Sequence, residues 1–160
     1  MCATRVVGGT KLDAALARYL DGATKTMRAG ILEGSRYPDG MPTAMVAFWN
    51  EYGTTRTVDG HTIVTPPRPF MRSTAAAKAE RWAKIVGVTL QRNGGNFEEA
   101  LKLAGEAAMT DIKQTIGTFS TPPNAASTIA KKGHDQPLRD TKNMLNSVAY
   151  DLVDGPVSEE

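Results

Sequence analysis

Residues 65–72 read Thr-Pro-Pro-Arg-Pro-Phe-Met-Arg, three prolines set around one arginine. Pro66, Pro67 and Pro69 carry no backbone N–H and hold φ at about −65°, so neither a sheet ladder nor a helix interior runs through them. Arg68 stands before a proline and is pushed toward an extended conformation. A strand arriving at Thr65 must therefore stop, and a helix can begin only at Phe70. This elbow sets the angle between two elements before any tertiary contact is considered.

Upstream of the elbow, Met45, Phe48, Trp49 and Tyr52 recur at i, i+3, i+4 and i+7. That spacing predicts a helix over 43–52, with Gly53 at the C′ position and the aromatic face in the core. Residues 54–65 read as a hairpin-like loop turning at Asp59-Gly60, with "HTIVT" as the returning strand. Nearer the start, "TRVV" (4–7) reads as a short strand ending in Gly8-Gly9. Thr10 and Asp13 resemble a capping box opening a helix at 11–22. A strand is expected at 25–33 with Met27, Ala29 and Ile31 on one face, Gly30 marking a close backbone approach, and "YPDG" turning the chain after it.

Downstream, a helix over 70–92 carries Phe70, Ala77, Trp82, Ile85 and Val88 and stops at "NGG". Asn96, three before Glu99, caps a second helix over 97–117 whose stripe is Phe97, Leu101, Ala104, Ala108, Ile112 and Ile116. The pair forms an αα-hairpin. Thr118 to Arg139 reads as a long irregular stretch, a kind of segment that tends to be functional or mobile. Asp140 or Thr141 then caps one or two turns, and a final half-buried strand places Val148, Tyr150 and Leu152 on one side. The expected fold is α+β: a small, mostly antiparallel sheet with helices packed on one face. Residues 1–153 make one domain, and 154–160 a frayed tail.

Little in the sequence points to catalysis. His61 and His134 fall in loops without the converging ligands a zinc site needs, and read as solvated. Cys2 is the single cysteine, has no activating neighbour, and leaves no intramolecular disulfide. The Gly8-Gly9 turn before Lys11 lacks P-loop spacing. No Gly-x-Ser-x-Gly elbow and no paired carboxylates sharing a cleft are found, so neither an enzyme nor a cofactor is expected. With 19 Lys and Arg against 17 Asp and Glu, the net charge of +2 is too small for a dedicated duplex-DNA binder. "MCATRVVGGT" lacks the apolar segment of a signal peptide, and no stretch nears the roughly 20 apolar residues that cross a bilayer. Synthesis in a cytoplasm is the expectation.

Three blocks, "GILEGSRYPDGMPTAMVAFWNEYGT", "PPRPFMR" and "PPNAASTIAKKGHDQPLRDTKNMLNSVAY", occur in an order and spacing that resemble one family. These are the tailed-phage head–tail joining, tail-completion and tail-terminator proteins, including the minor tail protein Z type. The resemblance runs from Ala29 to Tyr150. It rests on Asn50, Glu51, Tyr52 and Gly53; on Pro67, Arg68, Pro69 and Phe70; on Pro122 to Asn124, Ser127 to Ile129 and Lys132-Gly133; and on Pro137, Leu138, Asp140 and Thr141. Lys142 departs from it, because the family often shows glycine there, which bears on the turn before the last helix.

The resemblance implies a virion structural protein, assembled in the host cytoplasm into a ring, commonly hexameric, at the head-proximal end of the tail. Its partners would be further copies of itself, the tail tube protein and a head-side connector or neck protein, with genomic DNA passing through the lumen. The interface and structural residues expected are Asn50, Glu51, Tyr52, Gly53, Arg56, Pro66, Pro67, Arg68, Pro69, Phe70, Pro122, Pro123, Lys131, Lys132, Pro137 and Leu138. Arg68 is expected to pair with an acidic group, Glu51 being the nearest in sequence, and Phe70 to anchor the next helix in the core. Two other readings stand beside this one: a nucleotide-binding enzyme using the Gly8-Gly9 turn, and a DNA-binding accessory protein using Lys131, Lys132 and Arg139.

Overall fold

The computed structural model describes residues 24–155 together with residues 10, 14 and 17. Cys2, the strand expected at 4–7, the Gly8-Gly9 turn and, apart from Ala14 and Ala17, the helix expected at 11–22 lie outside the described residues. The order is β1 (Lys25–Ile31), α1 (Thr43–Tyr52), β2 (Thr54–Val58), β3 (His61–Thr65), α2 (Phe70–Arg92), α3 (Phe97–Thr118), α4 (Ala126–Lys132), α5 (Asn143–Asn146) and β4 (Val148–Asp154). The class is α+β.

The strands pair as two separate two-stranded antiparallel sheets, β1 with β4 and β2 with β3. In the first, Lys25 faces Asp154 and Ile31 faces Val148, so the first and last described strands close the fold together. Arg28 and Asp151 stand opposite each other there, with Arg28 Nε donating to Asp151 Oδ1 at 3.0 Å. In the second, Asp59 and Gly60 turn the hairpin with φ of 51° and 78°, the left-handed pair that a two-residue loop requires.

The αα-hairpin is the backbone of the domain: α2 and α3 pack along each other, and α3 also lies across the β1–β4 sheet. Asn96 Oδ1 accepts from Glu99 N at 3.0 Å, the expected cap. Ala100, Ala104, Ala108, Ile112 and Ile116 form the buried stripe of α3, and Phe70, Ile112, Ile116, Met144 and Val148 meet in the core. Two glycines permit the close layers. A Cβ at Gly30 would lie 2.6 Å from Met71 Cε, and one at Gly105 would overlap the Tyr150 ring. The two helices are also tied by polar groups: buried Asp111 accepts from Arg81 Nη1 and, at 2.8 Å, from Trp82 Nε1.

Three expectations need correction. The aromatic face of α1 is not core: Met45, Phe48, Trp49 and Tyr52 are 46%, 57%, 39% and 55% exposed. The inward face is instead Thr43, Ala47 and Glu51, because the start of α2 behind it demands a hydrogen-bond acceptor. Along α2, Ala77 is exposed and Thr74 is buried in its place, its hydroxyl donating to Phe70 O and bonded to Thr115. The stretch from Thr118 to Arg139 is not wholly irregular. It holds α4, which is closed by Gly133 at φ 74° with its N–H on Ile129 O. Lys142 has φ 61° and precedes the single turn of α5; Thr141 Oγ1 accepts from Asn143 N at 3.3 Å.

Candidate functional site

The elbow is where distant parts of the chain are joined. Arg68 is buried at 6% exposure, and its N–H donates to Asn50 O at 2.6 Å. Its guanidinium does not meet Glu51. Nε donates to Pro122 O at 3.2 Å and Nη2 to Pro123 O at 2.9 Å, so the first proline cluster clasps the second across more than fifty residues. Proline carbonyls suit this role, since proline keeps its acceptor while losing its donor.

Glu51 is already engaged. Pro69 occupies the N-cap of α2 and offers no polar side chain, which leaves the first N–H groups of that helix open. The Glu51 carboxylate closes them, accepting from Met71 N at 2.9 Å and Arg72 N at 3.0 Å, and from Arg72 Nε at 2.9 Å. A carboxylate at a helix N-terminus is also favoured by the helix dipole. Tyr52 lies beneath the Arg72 guanidinium at 4.7 Å and beside Phe48 at 4.8 Å. Gly53 has φ 77°, and a Cβ there would stand 2.8 Å from Thr65 O, so only glycine lets the base of the hairpin close on the elbow.

Beyond the elbow lies an open cleft of about 680 Å³ between the β2–β3 hairpin and the 123–132 segment. Asn50, Arg56, Pro66, Arg68, Pro123, Lys131, Lys132 and Leu138, all marked in the sequence, line it together. The other marked residues support it from behind. Phe70 and Pro137 are fully buried, Pro122 holds Arg68 through its carbonyl, and Glu51 with Pro69 fixes the start of α2. Tyr52 and Pro67 face solvent beside the elbow. Tyr37, Asp39 and Asp140 also line the cleft. The "YPDG" turn was legible as a turn, but nothing in its spacing assigns it to this wall.

Desolvation marks the same place. Burial pushes the Arg68 guanidinium below its ordinary value, with Asp135 opposing. Burial also lowers Lys132, with Asp140 opposing, Arg68 adding to the depression and Asp135 opposing. The Tyr37 hydroxyl is raised, first by burial and then by Asp140 and Asp39. Groups shifted by burial in a cleft are candidates for function. His61 is exposed, but His134 is half-buried with its Nδ1 unpartnered, unlike the solvated loop histidine expected. Among the described residues, no group of three His, Cys, Asp or Glu is placed to hold a metal ion, and no helix is long and apolar enough to cross a membrane.

Comparison with protein-family models, with curated proteins and with solved structures gives no match to this chain.

Proposed function

We propose that this chain is a structural assembly protein which forms a ring at the head-proximal end of a phage tail, where it terminates or completes the tail tube and helps join it to the head. The assembly role is carried by one observation: the most apolar surfaces near the elbow are uncovered. Val58, Ile63 and Val64 of the hairpin are exposed, as is the aromatic face of α1. No other described element packs extensively on the hairpin, and a lone two-stranded hairpin is marginal in water without a partner.

Covering the four half-exposed side chains of α1 would stabilise an interface by about 4 kcal/mol, at half the usual value for complete burial of each. A rotational ring joins two different surfaces of each subunit. The hairpin and the α1 face are two such surfaces, held at a fixed angle by the Arg68 N–H on Asn50 O and by Gly53 against Thr65. The phage setting comes from the order of the motif blocks, and the near-neutral charge suits a conduit that must release DNA.

The test is electron microscopy of particles from a phage lacking this gene, paired with mass measurement of the purified chain. Filled heads beside unattached tails are expected. Overlong tails would assign a terminator, and tails of normal length a completion factor. Intact, infectious particles would remove the junction role.

A further inference from the structure

We infer that the cleft between the β2–β3 hairpin and α4 binds an oxyanionic group, a phosphate or a carboxylate, held by Arg68 and Lys132 with Arg56 on the hairpin side. The lining sets the sign of the ligand: Arg56, Arg68, Lys131 and Lys132 face the cleft against only Asp39 and Asp140. A metal ion or a cationic group is thereby disfavoured.

The second observation concerns compensation. Buried charges are ordinarily paired. Arg68 is buried, yet among the described residues neither it nor Lys132 makes a salt bridge. The partners of Arg68 are two neutral carbonyls, which satisfy Nε and Nη2 but leave Nη1 without a hydrogen bond; Asp135 favours its charge without forming an ion pair with it. The one hydrogen bond of Lys132 is likewise to a carbonyl, that of Gln136 at 3.3 Å. Burial first, and then the nearby Arg68, disfavours the charged form of Lys132, with Asp140 and Asp135 acting the other way. An oxyanion between them would relieve that repulsion and take up the unused donor through a charge-assisted hydrogen bond. The inference does not depend on ring formation, since every group belongs to one chain.

Titration of the ¹⁵N-labelled protein with inorganic phosphate, and separately with succinate, tests it. Saturable shifts are expected in amides of residues 123–133 and at Arg68 Nε. Lys132→Gln is expected to weaken binding about tenfold, the loss of one charge-assisted contact. Because α4 packs extensively on no other element, that variant keeps the fold, and Arg68 itself is left unaltered. Lys84→Gln, on the exposed side of α2, serves as the control with unchanged affinity. Saturation by phosphate alone assigns a phosphate ligand; saturation by succinate as well, or by it alone, assigns a carboxylate side chain as an acceptable occupant. Linear shifts spread over the surface, or equal affinity in Lys132→Gln, would overturn the inference.

Discussion

Replacing Arg68 by Met keeps the length of the aliphatic stem and removes every donor. Two hydrogen bonds from a charged group to Pro122 O and Pro123 O are lost, each worth about 1.5–3 kcal/mol. Two effects reduce that total. Pro123 is exposed and Pro122 half-buried, so water can reach the freed carbonyls. Removing a buried guanidinium with no carboxylate partner also returns some desolvation cost. The expected net loss is therefore about 2–3 kcal/mol, below the sum of the two bonds. Equilibrium urea unfolding should show a lower midpoint at unchanged slope. Amide exchange should speed up locally across 124–133, because the clasp is what ties that segment to the elbow. Arg68→Lys, with one point donor in place of a fork, should lose about half as much. A loss under about 0.5 kcal/mol in Arg68→Met, with exchange at 124–133 unchanged, would refute the clasp.

Gly105→Ala should destabilise the domain by about 1–2 kcal/mol despite the better helix propensity of alanine, because the new methyl overlaps the Tyr150 ring; a raised thermal midpoint would contradict that packing. Lys142→Gly relieves a left-handed φ of 61° worth about 1–2 kcal/mol, offset by about 1 kcal/mol of glycine entropy. Calorimetry should therefore record a midpoint higher by about 1–2 °C. Phe48→Asp, on a side chain 57% exposed, should change monomer stability by less than about 0.5 kcal/mol while blocking assembly; severe unfolding would return the aromatic face to the core. The hydrogen bond from Arg28 holds the Asp151 carboxyl below the usual carboxylate range, its partial burial opposing. A depressed acid stabilises the fold above its unfolded value and loses that contribution as pH falls through its folded value. An NMR titration of Asp151 should thus give a low midpoint that Arg28→Gln restores, and an unmoved midpoint would exclude the pair as its cause.

Much of the fold was legible because local chemistry and tertiary structure agree. The prolines stop β3 at Thr65, Gly53 closes α1, Asn96 caps α3, and Asp59-Gly60 turn the hairpin, each where its backbone preference requires. From Ala104 to Ile116 the stripe of α3 reads correctly since both of its neighbours, α2 and the β1–β4 sheet, bury one continuous face, whereas Phe97 and Leu101 are only half-buried and Ala100 is the buried residue of the first turn. The failures have physical causes too. In α1 the apolar spacing is real but points outward, because the inward position at Glu51 is reserved for the uncapped start of α2. Proximity in sequence joins Arg68 to Glu51, whereas the helix terminus competes successfully for that carboxylate. Likewise α4, seven residues long with no buried position, carries no periodicity to detect. The cleft was least legible of all, since it depends on residues near 40, 56, 68, 131 and 140 meeting in space.

The proline elbow is thus less a spacer than a joint on which four constraints converge. Arg68 N–H is fixed to Asn50 O, Glu51 to the start of α2, Gly53 against Thr65, and the Arg68 guanidinium to residues 122 and 123. Among the described elements neither the hairpin nor α4 packs extensively on another, and the two line the cleft together beside this joint. A partner covering the hairpin and an oxyanion entering the cleft would therefore act on the same small set of bonds. Linkage requires their effects to be reciprocal: if the anion tightens assembly by some factor, assembly must tighten anion binding by the same factor. Weakening the clasp should uncouple the two, whereas removing Phe48 from the outer face should weaken assembly and leave the anion affinity of the free chain unchanged.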